Sequence, residues 1–227
     1  MDRRGIGVEG GPLAANTERI VIGGIGATFA AGRPDALAAL LGADVLHRMA
    51  RLRYEAFHDR LGWIAATSTG EDWDAYDALP PWYGLCLLDD GFLAGTWRIL
   101  PSLGPTMLAD LFPALLHGAP APADAATWEI SRFALSRERG GGVALAAAAV
   151  LLRGLFRHGQ RCGIARFAAC SDTRFQRLLE RAGVQLALFG PPVRIGATEA
   201  VGGYADVASQ ADRLIGMAWA TGTRAAA

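Results

Sequence analysis

The chain of 227 residues contains no lysine; its 22 basic residues are all arginine. That excludes a Schiff-base lysine and a phosphate-loop lysine. Cysteine is scarce, and Cys86, Cys162 and Cys170 are odd in number and form no paired motif. A disulfide framework and a cysteine zinc site are therefore not expected. His47, His58, His117 and His158 are scattered, with no two at helical ligand spacing, so no metal is expected either. Net charge is absent too, 22 basic residues facing 22 acidic ones. This removes the simplest electrostatic argument for a nucleic-acid partner. Long apolar runs are also missing. The richest, Val143 to Leu152, ends at Arg153, well short of the ~18 residues of a membrane helix. Ile20 to Gly32 is apolar but has no basic region directly before it, so strand-like Ile20-Val21-Ile22 explains it better than a signal peptide. The expectation is a cytoplasmic protein with no membrane partner.

What is present is apolar substance for a core, 52% of the residues, in a chain of one-domain length. Residues 1–18 are glycine-rich and read as a flexible tail, leaving 19–227 as a single domain. A helix is expected over 36–60, where Leu37, Leu40, Leu41, Val45, Met49, Leu52 and Phe57 recur at threes and fours, with Asp35 as a cap and Gly42 as a break. Asp89-Asp90-Gly91 between two apolar runs predicts a hairpin over 83–100. Further strands are expected at 128–135, 164–169, 184–189 and 193–195, and further helices at 107–116, 140–158, 173–182 and 204–219. Strands and helices mixed in this order predict a three-layer α/β/α fold with a central mixed sheet.

Five segments carry chemistry. Arg53 and Phe57 lie four apart and share a helix face ahead of Gly62-Trp63; alone, an exposed arginine beside a core aromatic explains them. Glu71-Asp72-Trp73-Asp74-Ala75-Tyr76-Asp77 crowds carboxylates among aromatics. This is either a solvated acidic loop or a cluster answered by the bidentate donors Arg53, Arg98 and Arg132. Aromatic faces among acids suit a cationic ligand such as a sulfonium. Arg98, in the apolar stretch Gly95-Thr96-Trp97-Arg98-Ile99-Leu100-Pro101, needs a partner and faces away from Trp97. In Trp128-Glu129-Ile130-Ser131-Arg132-Phe133, a regular strand puts Glu129, Ser131 and Phe133 on one face and Arg132 on the other. Glu129 is then either a general base with a burial-raised pKa or half of a structural ion pair. Arg137-Glu138-Arg139-Gly140-Gly141-Gly142 before a helix fits an acetyltransferase-type loop, whose amides hold phosphate or pantetheine groups, and equally a flexible glycine turn.

In this order and spacing, the segments together resemble the LuxI-type acyl-homoserine lactone synthases, the autoinducer synthases. The family's Arg-x-x-x-Phe segment ending in Gly-Trp matches Arg53, Phe57 and Trp63, and its Asp-x-x-Asp pair matches Asp74 and Asp77. Its Arg-Leu-Leu-Pro-like strand matches at Arg98, and its Trp-Glu-x-Ser-Arg-Phe segment supplies Glu129, Ser131, Arg132 and Phe133. The resemblance implies a fold related to the N-acetyltransferases (GNAT-like), with a V-shaped cleft in the sheet. It implies two substrates, S-adenosylmethionine and an acyl thioester on acyl-carrier protein or coenzyme A. No cofactor is implied, because S-adenosylmethionine is itself consumed. The methionyl amine attacks the thioester, and the methionyl carboxylate then displaces methylthioadenosine and closes the lactone.

The resemblance makes Glu129, Arg98 and Arg132 the catalytic candidates, with Glu129 as base through water. Arg53, Asp74 and Asp77 would order S-adenosylmethionine, Phe57 and Trp63 would wall its pocket, and Ser131 and Phe133 would approach the acyl or amine groups. Ala169 stands where makers of 3-oxo signals often carry threonine, implying an acyl chain without that group. Two alternatives compete. A GNAT-type N-acyltransferase using acyl-CoA and another amine suits the Arg137–Gly142 loop but not the Asp74/Asp77 pair. A non-catalytic binding protein on the same scaffold predicts a decayed charge set, whereas every charge is present. A carrier-protein partner wants a basic patch, for which the arginines from Arg153 to Arg181 are candidates; a solvated helix face also explains them.

Overall fold

A computed structural model describes residues 15–181 and 183–216. The first two segments are strands, β1 (Asn16–Ile22), whose exposure alternates, and β2 (Ile25–Gly32), paired antiparallel around Gly23 and Gly24, both at positive φ. β1 thus starts inside the expected tail. The remainder of that tail, 1–14, lies outside the described residues. The expected helix over 36–60 is broken in two: α1 (Pro34–Leu41) stops at Gly42, where φ is 96°, and α2 (Val45–Tyr54) widens into a π-helical turn (Glu55–Arg60). Arg33, not Asp35, occupies the N-cap of α1, with Pro34 opening its first turn.

β3 (Trp82–Leu88) and β4 (Leu93–Pro101) form the expected hairpin over Asp89-Asp90-Gly91. Pro113 divides the expected helix over 107–116 into α3 (Met107–Asp110) and a 3-10 turn (Pro113–Leu116). Then come β5 (Thr127–Leu135), α4 (Gly141–Arg161), β6 (Arg166–Asp172) and α5 (Thr173–Arg181). The strand expected at 184–189 shrinks to β7 (Ala187–Leu188), ahead of β8 (Val193–Ile195). The last expected helix is corrected: Tyr204 lies in β9 (Thr198–Asp206), and α6 (Val207–Gly216) begins only where Asp206 accepts the Ser209 amide at 2.8 Å. Residues 217–219 of that expected helix, like residue 182 of the one before it, lie outside the described residues.

Among the described residues nine strands form one mixed sheet in the order β1-β2-β3-β4-β5-β6-β9-β7, with β8 beside β9. All pairs are antiparallel except β5 with β6, whose parallel pairing needs the α4 crossover. That pairing runs only from Thr127/Arg166 to Ile130/Ala169, and beyond it the strands part into a V. Leu37, Met49, Leu52 and Phe57 of α1, α2 and the π turn pack on one face, against Tyr83 and Leu85. On the other, Leu151 and Phe156 of α4, Leu179 of α5 and Leu214 of α6 meet Trp97 and Phe167. This is the expected α/β/α arrangement.

By length and composition alone, α4 could cross a membrane. Its apolar face is instead covered by β2, β3 and β4, and Ala146–Leu152 are buried. It seats closely because Trp97 Nε1 donates to the Leu151 carbonyl at 3.1 Å, and because Gly154 lets Phe29 approach where a Cβ would sit 2.3 Å from its ring. Glu18 of β1 clasps the same helix, accepting from Arg153 at 3.2 Å and Arg157 at 2.6 Å. Trp97 in turn lies over Gly84, where an added Cβ would fall 2.1 Å from the indole. Gly84→Ala should therefore destabilise the protein by about 1–3 kcal/mol through displacement of Trp97, read as a lower urea midpoint at unchanged slope.

Candidate active site

The acidic segment is ordered by its own side chains. Asp74 accepts the Tyr76 amide and Asp77 accepts the Asp74 amide, each at 2.9 Å, which fixes a 3-10 turn over Ala75–Ala78. This aims Asp72, Asp74 and Asp77 at three arginines from three elements. Arg53 of α2 is 1% exposed; it grips Asp77 bidentately at 2.9 Å twice and reaches Asp72 at 3.1 Å. Arg98 of β4, fully buried, donates to Asp74 at 2.6 and 3.0 Å, to Asp77 at 2.7 Å and to Ser131 Oγ at 3.0 Å. Arg132 of β5 reaches Asp72 and Asp74 at 3.2 and 2.9 Å. Its Nε is 2.7 Å from Asp72 but off line for a hydrogen bond, so that contact is ionic.

Three positive and three negative charges thus form one buried, neutral lattice. Burial would raise the Asp77 pKa, but the hydrogen bond and charge of Arg53, with Arg98 and Tyr83, outweigh it and hold the carboxyl far below the ordinary range. Burial likewise works to lower the Arg53 pKa, yet Asp77, Asp72 and Asp74 hold it above its ordinary value. For Arg132 burial prevails over Asp72, and the pKa is lowered.

Arg132 itself corrects the regular-strand expectation. Ser131 pairs with Arg98 and Ala134 with Thr96, so Arg132 and Phe133 together oppose Trp97 in a bulge. Arg132 takes φ 53° there and joins Glu129 and Ser131 on the network face. Phe133 turns to the α4 face and packs, tilted, against Phe175 with ring centroids 4.9 Å apart.

Glu129 is 2% exposed. Its two oxygens accept the Met107 and Leu108 amides, at 2.9 and 2.7 Å, in the first turn of α3. Burial raises its pKa to about 7 against the pull of those amides and of Arg98. Arg98 also touches the Met107 sulfur at 3.1 Å, so Glu129 and the lattice share α3.

A cavity of about 570 Å³ runs through the split between β5 and β6. On the network side it meets Glu129, Ser131, Arg132, Phe57 and Trp63. Arg132 lies over the Phe57 ring at 4.9 Å, and Trp63 is oriented by a 2.8 Å bond from Nε1 to Thr198. Ala169 and Phe133 line the α4 side. Arg53, Asp74 and Asp77 stand behind the wall, as members of the lattice.

A family model described as autoinducer synthase matches residues 38–214. An acyl-homoserine-lactone synthase of Pseudomonas aeruginosa is 34% identical over 160 residues, 69% of this chain and 80% of that protein. The chain belongs to the autoinducer synthase family. Among solved structures, the AHL synthase LasI superposes with a TM-score of 0.73 at 30% identity, over 88% of this chain and 95% of its own. BjaI, a CoA-dependent acyl-homoserine lactone synthase solved with SAM and isopentyl-CoA, gives 0.70 at 26%, over 83% and 89%. A putative N-acetyltransferase from Lactobacillus plantarum, 16% identical with a TM-score of 0.50 over 86% and 99%, shares the fold alone. In this autoinducer synthase, Asp72 joins the site although the sequence reading passed over it. It is 3% exposed and ties Arg53 to Arg132. Its only sequence signal is membership of the acidic cluster.

Asp77→Asn should destabilise the fold by about 3–5 kcal/mol at neutral pH, because it leaves Arg53 and Arg98 short of a charge. Ionised Asp77 stabilises the fold above the unfolded carboxyl pKa of about 3.9, and this is lost as pH falls through its depressed folded pKa. Urea unfolding of both proteins should therefore show the gap narrowing below about pH 4; a pH-independent gap would show that charge is not its cause.

Proposed function

We propose that this cleft joins an acyl group to the amine of S-adenosylmethionine and closes the product to an acyl-homoserine lactone, with Glu129 as the base. The observation that carries the reading is a buried carboxyl with a pKa near 7 in the wall of a through-sheet cavity, beside a neutral Arg–Asp lattice. Membership of the autoinducer synthase family, and likeness to BjaI with its SAM and isopentyl-CoA, support it.

The chemistry follows from these groups. A protonated amine is not a nucleophile, so its proton passes to Glu129 through a water. The amine nitrogen then bonds to the thioester carbon, and the carbon–sulfur bond breaks as the thiol leaves. The methionyl carboxylate next attacks the γ-carbon, and methylthioadenosine leaves with the electrons of the C–S⁺ bond. Arg132 and the lattice behind it orient the methionyl carboxylate, while Phe57 and Trp63 present aromatic faces to the sulfonium.

The thioester arm enters past α5. Arg174, Arg177 and Arg181 line the cavity with Arg137, and none of the four forms a salt bridge among the described residues. They suit the phosphates of a pantetheine carrier, whether coenzyme A or acyl-carrier protein. By contrast Arg153 and Arg157 are held by Glu18, and Arg166 pairs with Asp124, which leaves the arginines of α5 and the exposed Arg161 of α4 for the carrier-facing patch.

Purified protein given S-adenosylmethionine should release methylthioadenosine only when an acyl thioester is added. Its kcat/KM should rise with pH through about 7 and then level off, as Glu129 loses its proton. Glu129→Gln should lower the rate by about 10²–10⁴-fold and abolish that rise. A folded protein that releases none with any thioester would overturn the assignment; an unchanged pH profile in Glu129→Gln would remove the base.

A further inference from the structure

Past Ile130 and Ala169 the sheet has two arms, β1 to β5 and β6 to β9. Trp63 reaches from one to the other. It belongs to no helix or strand, so regular backbone geometry does not aim its ring. Its amide donates to the Phe57 carbonyl at 2.7 Å, which moors it to the π turn packed on the first arm. Its indole Nε1 donates to Thr198 Oγ1 at 2.8 Å, where β9 begins on the second arm. The Thr198 hydroxyl donates its own proton to the Ile195 carbonyl at 3.4 Å, so an oxygen lone pair is left for the indole. Trp63 also packs against two separate hydrophobic clusters, that of Phe57 and Tyr83 on the first arm and that of Ala168 and Ala200 on the second.

Between these moorings the ring lines the cavity, tilted against Phe57 and Phe112 with centroids 6.3 and 5.8 Å away. Thr198 itself stands outside the cavity wall. A cation is attracted only where it lies over an aromatic face, so whatever fixes the tilt of the indole fixes that attraction. We propose that Thr198 is a positioning residue for S-adenosylmethionine, holding Trp63 across the split so that its ring meets the sulfonium. The proposal rests on the synthase reading above and adds a residue from the second arm, which carries no member of the Arg–Asp lattice. The sulfonium loses its charge as methylthioadenosine leaves, so a ring that attracts it favours binding over the displacement step.

The test is methylthioadenosine release with the acyl thioester saturating and S-adenosylmethionine varied. Thr198→Val keeps the branched shape and removes the acceptor. It should raise the KM for S-adenosylmethionine by about three- to tenfold, leaving kcat and the KM of the thioester within about twofold. Thr198→Ser keeps the hydroxyl and should keep the wild-type KM. Thr198→Ala breaks the same bond with a smaller side chain, so misfolding of one variant leaves the other. Trp63→Phe retains an aromatic ring but lacks the donor, and in its background Thr198→Val should have no further effect on that KM. A folded Thr198→Val or Thr198→Ala with the wild-type KM overturns the assignment while leaving the synthase intact. So does a rise that persists in Thr198→Ser, or one that adds to the effect of Trp63→Phe. Absence of release by the wild type with any thioester instead removes the synthase reading, and the role of Thr198 with it.

Discussion

An arginine taken from water without a partner costs several kcal/mol, and this fold buries three side by side. Arg53, Arg98 and Arg132 would repel one another were Asp72, Asp74 and Asp77 not interleaved. Asp74 is the hub, within 3.7 Å of Arg53, 2.6 Å of Arg98 and 2.9 Å of Arg132. Because each arginine sits on a different element, the lattice fixes α2, β4, β5 and the acidic loop relative to one another. A lattice of opposite charges has one good arrangement, whereas apolar packing tolerates many. The ion pairs tie the elements that carry the site to one another, and orienting an amine against a thioester calls for such a pre-set geometry.

The bulge in β5 serves the lattice and the cleft together. A non-glycine residue at φ 53° carries strain of order 1–3 kcal/mol, which persists only where its surroundings impose it. Here the ion pairs of Arg132 do so, since a regular strand would turn its guanidinium to the α4 face. A bulge also bends its strand. Pairing of β5 with β6 ends at Ile130/Ala169, just before Arg132. One extra residue therefore directs a charge into the lattice and coincides with the opening of the V through which the cavity runs.

That geometry explains what the sequence disclosed and what it hid. Asp89-Asp90-Gly91 announced its hairpin because turn chemistry is local. The need of Arg98 for a partner was legible because an arginine in an apolar strand has few alternatives, and Glu129 stood out for the same reason. The face of Arg132 was not legible: it depends on a bulge set by ion pairs reaching 60 residues along the chain to Asp72. Asp72 looked like any residue of an acidic loop, because its burial comes from α2 and β5 closing over it. Small residues hid β9, since Gly202 and Gly203 carry no periodicity, although a side chain at Gly203 would strike the Ala187 carbonyl at 2.8 Å.

Glu129 and the lattice are not independent. Two amides at the start of α3 hold both oxygens of Glu129, and burial still raises its pKa to about 7. How firmly α3 is seated thus sets how far those amides offset the burial. Tyr76 donates to Asp110 at 2.9 Å and pins the end of α3 to the turn that carries Asp74 and Asp77. Met107 meets Arg98 at its start. A shift of the acidic turn would therefore move α3 and change the hydrogen bonding of Glu129, even though no atom of that turn need touch it. The same contacts that order the arginines therefore bear on the Glu129 carboxyl, the group that the proposed reaction uses to take the proton of the amine.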